Sequence, residues 1–170
     1  LNKIRLQWEH IKKTFTEQQL TSNMGHAPNT AADDAGWDAL YYLKMYELLG
    51  DKTALQYAHD TVWNAFVHWA VDGDLSKGMW YNDYAQYNEQ WLSTYCGVHV
   101  LVALRYSEIT KGTADYDEDL YDMAMALYGW IEANMRRDRV VTIQNGLQDG
   151  SSYTIASVDN LYWIDYNINR

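Results

Sequence analysis

A single cysteine, Cys96, excludes an internal disulfide and a zinc site built on cysteines. It lies in the apolar run "WLSTYCGVHVLVAL", where a buried, inert thiol is expected. No stretch of about 18 apolar residues occurs, so no membrane span is expected. Basic residues are scarce: 13 Lys and Arg stand against 23 Asp and Glu, a net charge of −10. No basic cluster exceeds Lys12-Lys13 or Arg136-Arg137. Such a surface repels nucleic acid and anionic membranes, which need cationic neutralisation, and it tolerates a neutral ligand such as a glycan. There is one proline, Pro28, and no long linker. The first residue is Leu and no leader is legible, so a chain that is processed, trimmed or cut from something longer is expected.

What the chain does have is apolar residues in helical order. They make up 48% of its 170 residues, enough for one domain (1–170) with a core of its own. Eight Trp and 15 Tyr against two Phe favour rings with a polar edge. These suit half-buried positions and surfaces that stack on sugars, although most of them are expected simply to fill a helical core.

Ile4, Trp8, Ile11 and Phe15 recur at spacings of three and four and predict a first helix. After the polar loop "TSNMGHAPNT", Trp37, Leu40, Leu43 (or Met45) and Leu48 predict a helix over 32–49, stopped by Gly50 in a left-handed cap. Leu55, Ala58, Val62, Trp63 and Phe66 predict another over 52–69. Further helices are expected from about 90 to 109 and from 117 to 135. "RVVTIQNGLQDGSSYTI" reads as a small hairpin or loop excursion, and "SVDNLYWIDYNINR" as the start of one more helix. Leu40, Leu43, Glu47 and Leu48 match Leu101, Leu104, Glu108 and Ile109 at a shift of 61, each run followed by a Gly-containing turn and a second helix. Repeated helical hairpins point to an all-α array or toroid. An ordinary bundle is the alternative.

The candidate chemistry sits at the head of the second long helix, in "NTAADDAGWDALYYLKMYELLGD". Asp33 and Asp34 have two readings. Thr30-x-x-Asp33 resembles a capping box, and acidic residues suit any first helical turn. Alternatively the two form a catalytic pair. Retaining glycosidases hold two carboxyl groups about 5–5.5 Å apart. Adjacent residues diverge by about 100° around a helix yet have Cα atoms only about 3.8 Å apart. At about 5 Å and an effective dielectric of about 20, two such charges repel by about 3 kcal/mol. One member of such a pair is thereby driven to keep a proton, and the positive helix end keeps the other ionised.

Together with the loop "KGMWYND", the long apolar helix and "RVVTIQNGLQDG", this stretch resembles glycoside hydrolase family 76, the endo-α-1,6-mannanases and their fungal cell-wall relatives. The resemblance implies an (α/α)6 toroid of which this chain covers about half. It implies Asp33 as nucleophile and Asp34 as acid/base, no cofactor, a polysaccharide substrate and a location outside the cytoplasm. Trp37 and the loop residues Trp80, Tyr81 and Asn82 become candidates for the sugar platform, with stacking on the rings and amide bonds to hydroxyls. Trp37 taken alone also reads as core. "NEQWLSTYCGVHVL" departs from the more Asn-rich helix start of the family.

Other constellations are incomplete. An Asp-Asp-x-x-Asp box would need an acid where Trp37 stands. The five histidines form no His-x-x-x-His pair, and "DGDLSKG" lacks the Glu that closes a calcium loop. No phosphate loop or Gly-x-Ser-x-Gly elbow occurs. The rival functions are an unsaturated-uronyl hydrolase or sugar epimerase on a similar scaffold, disfavoured by few basic residues and scattered His, and a glycan-binding or scaffold protein without catalysis.

Overall fold

The computed structural model describes residues 1–21, 32–80, 92–93 and 96–134, with further short strands at 136–137, 141–143, 153–155, 161–162 and 165–166. Among these the chain is predominantly helical. Helices α1 (Asn2–Thr14) and α2 (Glu17–Thr21) precede a hairpin of α3 (Ala32–Leu49) and α4 (Lys52–Trp69). Two 3-10 turns, Val71–Gly73 and Leu75–Lys77, lead to strand β1 (Leu92–Ser93). A second hairpin follows, α5 (Gly97–Thr110) and α6 (Glu118–Asn134).

Both hairpins turn in the same way. Gly50 ends α3 at φ 68°, as its glycine predicts, and Asp51 then caps α4 by accepting the Thr53 N–H at 2.9 Å. In the second hairpin Asp117 caps α6, accepting the Leu120 N–H at 3.1 Å. The repeat read at a shift of 61 also has a physical meeting point. Arg105 of α5 pairs with Glu47 and with Glu108, the two glutamates that the repeat makes equivalent.

The core lies between the hairpins, built from Leu55, Val62, Phe66 and Trp69 of α4, Val102 and Ala103 of α5, and Leu120, Ala124 and Leu127 of α6. From α3 the buried face is Ala32, Ala35, Gly36, Ala39, Tyr42, Leu43 and Met45, so both alternatives for the third stripe position are buried. This corrects the expected stripe: Trp37 and Leu48 are exposed, and small residues take the inner positions so that neighbouring helices approach closely. At Gly36 the approach is tightest. A Cβ there would lie 2.2 Å from Val98 Cγ1 and 3.0 Å from His99 Cε1. Since Gly36 meets Val98 and His99 while Glu47 meets Arg105, α3 and α5 run parallel with both N-termini at one end.

Asp51 fastens α1 to this frame. Its Oδ2 accepts from the Trp8 indole N–H at 2.7 Å and from Lys12 Nζ at 2.7 Å. Trp8 is fully buried and meets Tyr42 and Tyr57 at ring distances of 5.8 and 6.1 Å. The carbonyls of short α2 that have no helical partner are taken by Tyr42 and Asn64, each at 2.9 Å.

Three expectations are corrected. The helix expected from about 90 begins at Gly97, because Leu92 and Ser93 pair instead with Tyr166 and Asp165. The expected C-terminal helix is strand at β5 (Leu161–Tyr162) and β6 (Asp165–Tyr166), with β5 pairing to β2 (Arg136–Arg137). Aromatic and β-branched residues there favour the extended form, which a short apolar run cannot distinguish from helix. Phe15 lies just beyond α1 and is exposed. The expected hairpin is present as β3 (Val141–Ile143) against β4 (Tyr153–Ile155).

Two consequences are testable. Gly36→Ala forces a methyl against Val98, whose β-branched side chain has one favoured helical rotamer. Overpacking of about 1–3 kcal/mol outweighs about 1 kcal/mol regained in helix propensity. The urea midpoint falls, and adding Val98→Ala in a double-mutant cycle recovers part of it. Burial by itself would raise the Asp51 carboxyl, but the bonds from Lys12, Trp8 and the Thr53 N–H outweigh it and bring its pKa to about 2. The stabilisation is therefore complete above the ordinary carboxylate range and fades as pH falls through about 2. Asp51→Ala costs about 1–2 kcal/mol in urea melts at pH 7 and less at pH 2.

Candidate functional site

The N-terminal end of α3 is where the sequence places its chemistry. α4 returns antiparallel to α3, so its last residue, Trp69, reaches that end. There the Trp69 carbonyl accepts the Trp80 N–H at 2.8 Å, and Ala70 pairs with Met79 as an isolated bridge. α5 starts at the same end beside Gly36. Two parallel helix N-termini thus lie side by side, and their positive dipole ends favour negative charge.

Asp33 and Asp34 both stand in the first turn of α3. Asp34 is exposed. Trp37 follows one turn later, four residues after Asp33 and three after Asp34, so it shares their side of the helix. It is 55% exposed, with ring surface open to solvent rather than packed in the core. Trp80 differs from the expected open platform: it is 6% exposed and belongs to the core. The backbone pairing to Trp69 turns the loop inward at this point. Gly78 in the same motif also has a structural reason. Its φ is 106°, and a Cβ there would sit 2.8 Å from the Trp130 ring. Tyr81 and Asn82 lie outside the described residues.

One residue at this end was not singled out from the sequence. His99, in the first turn of α5, is completely buried, and neither ring nitrogen has a hydrogen-bond partner among the described residues. Burial pushes its pKa down to about 4, against a smaller opposing pull from the Cys96 backbone, which lies close without meeting hydrogen-bond geometry. The sequence signal is a polar residue between Val98 and Val100 in an otherwise apolar run. Cys96 itself is buried, as expected, with Sγ 3.9 Å from the Met79 carbonyl.

A second cluster lies at the opposite end, by the hairpin turns. An open depression of about 520 Å³ is lined by Gln56, His59, Tyr106, the turn residues Asp115 and Asp117, and Glu118 and Asp119 at the head of α6. His59 Nδ1 is 2.8 Å from Asp60 and Nε2 is 2.9 Å from Asp117, and the ring stacks on Trp63. Lys52 pairs with Asp115, and the Tyr106 hydroxyl donates to the Asp115 carbonyl at 2.7 Å. This cluster ties α4 to the start of α6. Among the described residues, no group of three or more His, Cys, Asp or Glu is placed to hold a metal ion. No helix among them is long and apolar enough to cross a membrane.

Compared with family models, with curated proteins and with solved structures, the chain gives no significant match.

The Asp60 bond raises the His59 pKa, burial opposes it, and the Asp117 bond adds to the rise. The raised value means that this contribution is full below about 6.5, the ordinary histidine value, and is lost as pH climbs through the folded one. His59→Gln is therefore expected to destabilise the protein more at pH 6 than at pH 9, measured by urea unfolding at both.

Proposed function

We propose that this chain carries the catalytic half of a retaining glycoside hydrolase, an endo-α-mannanase acting on α-1,6-linked mannan outside the cytoplasm. The observation that carries the proposal is the start of α3: two adjacent aspartates in the first turn, with the exposed Trp37 on their side one turn later. In the toroid reading the two hairpins are neighbouring units of an (α/α)6-like ring. The exposed stripe Tyr121, Met125 and Tyr128 on α6, at spacings of four and three, is the kind of face that a further hairpin would cover.

The chemistry follows the two-carboxylate scheme. The Asp33 carboxylate attacks the anomeric carbon of a mannosyl unit and forms an ester. The glycosidic C–O bond breaks, and Asp34 gives its proton to the leaving oxygen. Asp34, now a carboxylate, takes a proton from water as the water oxygen attacks the same carbon. Asp33 departs, and two inversions leave the configuration retained. The paired N-termini of α3 and α5 favour the anionic form of the nucleophile. Trp37 offers a flat apolar face to the C–H side of a pyranose. The assignment of nucleophile and acid/base follows the mannanase resemblance, and the scheme calls for no cofactor.

Product release from linear α-1,6-mannan by the intact protein tests this. Asp33→Asn and Asp34→Asn are each expected to lower kcat by about 1000-fold or more. Trp37→Ala raises KM about tenfold, equivalent to about 1.4 kcal/mol of binding. An intact protein inert on mannan overturns the mannanase reading and turns the test to uronic-acid substrates. Full activity in both aspartate variants would make the pair a helix cap.

A further inference from the structure

The imidazole of His99 is enclosed where the two hairpins meet. From α3 it is met by Gly36, where a Cβ would lie 3.0 Å from Cε1 and 3.1 Å from Nδ1. From α4 it is met by Phe66, at a ring distance of 6.1 Å. The residue is completely buried, and neither ring nitrogen has a hydrogen-bond partner among the described residues. It is a titratable insert in the interface between the hairpins, and it suits that place only while it carries no charge.

Charging the ring would bury a cation without a counter-ion. His99 is also the third residue of α5, and Gly36 the fifth of α3, so the ring stands by two positive helix ends that disfavour a further cation. The described charged groups around it do not offset this. On α3, Asp34 is exposed and Asp38 acts on Tyr42, and the Asp33 side chain lies outside the described residues. On α4, His68 is exposed two residues beyond Phe66. On α5, Arg105 is exposed and engaged with Glu47 and Glu108. Between α4 and α5, the described neighbours Met79 and Trp80 are uncharged and buried.

Burial accordingly takes the His99 pKa from the ordinary 6.5 to about 4, against a weaker upward pull from the Cys96 backbone. An opened interface returns the ring to water and to about 6.5. Above that value the ring is neutral whether the interface is closed or open. As pH falls toward about 4 the open form takes up a proton that the closed form refuses, so the closed form loses stability across that window.

We propose that His99 is an acid-release latch: neutral, it lets α5 seat against Gly36, and protonated, it drives the second hairpin away from α3. The latch stands whether or not the chain acts on mannan. Gly36 makes it possible, because the glycine admits the ring to a contact too close for a charged, hydrated group.

Hydrogen exchange of the intact protein at pH 8 and pH 5, corrected for the intrinsic pH dependence of exchange, reads the opening directly. Protected amides of α5 are expected to open about 10- to 100-fold more often at pH 5 than at pH 8. His99→Leu, which takes up no proton, is expected to remove most of that ratio. His99→Gln, neutral and polar, is expected to remove it as well and serves if the leucine variant does not fold. A ratio that persists in a folded variant overturns the proposal. A 15N titration of the histidine rings in the wild-type protein gives an independent check. If His99 takes up its proton near pH 6.5 with the α5 amides still protected, the closed interface accommodates the charge and there is no latch.

Discussion

The close approach of α3 and α5 at Gly36 is the constraint on which the arrangement of the candidate site depends. Without a side chain at that position, Val98 and His99 can lie against the α3 backbone, and the two hairpins pack with their first helices parallel. A parallel pair brings two N-termini together at one end. That end gains two positive helix ends and with them a local preference for negative charge. A larger residue at 36 would hold the helices apart and separate the residues that the proposed chemistry groups together.

The two ends of the hairpins carry different kinds of polar structure. At the turn end, carboxylates meet partners: Asp51 holds Trp8, Lys12 and the Thr53 N–H, and Asp117 caps α6 while bonding His59. These contacts join α1 to α4 and α4 to α6, and their chemistry is fully used by the fold. At the opposite end Asp34 and Trp37 face solvent and the His99 ring has no partner among the described residues. Polar groups left over after folding are the ones available for a ligand, which favours that end over the acidic depression by the turns.

Much of the helical frame was legible. The bounds of α3 and α4, the left-handed Gly50, the buried Cys96 and the hairpin of β3 and β4 follow from periodicity, turn residues and composition. Individual side chains were harder. Trp37 fits an apolar stripe by spacing, yet Ala35, Gly36 and Ala39 take the inner face because close packing selects small residues. Trp80 reads as part of a polar loop, yet one backbone bond to Trp69 folds it inward. The strands at 92–93, 161–162 and 165–166 escape a local reading for a related reason: their partners lie far away in the chain, and local propensity does not contain them.

The sequence by itself determined the helical class, the positions of the hairpin turns and the presence of two adjacent aspartates at a helix start. Each depends on residues within a few positions of one another, where backbone geometry and local hydrogen bonding decide. Only the tertiary structure decided which end of α3 meets α5, which tryptophan faces water, and that a histidine from the second hairpin lies against Gly36. Those facts depend on contacts between residues far apart in the chain, such as Glu47 with Arg105 and Gly36 with Val98, and they are settled by how closely two helices can pack.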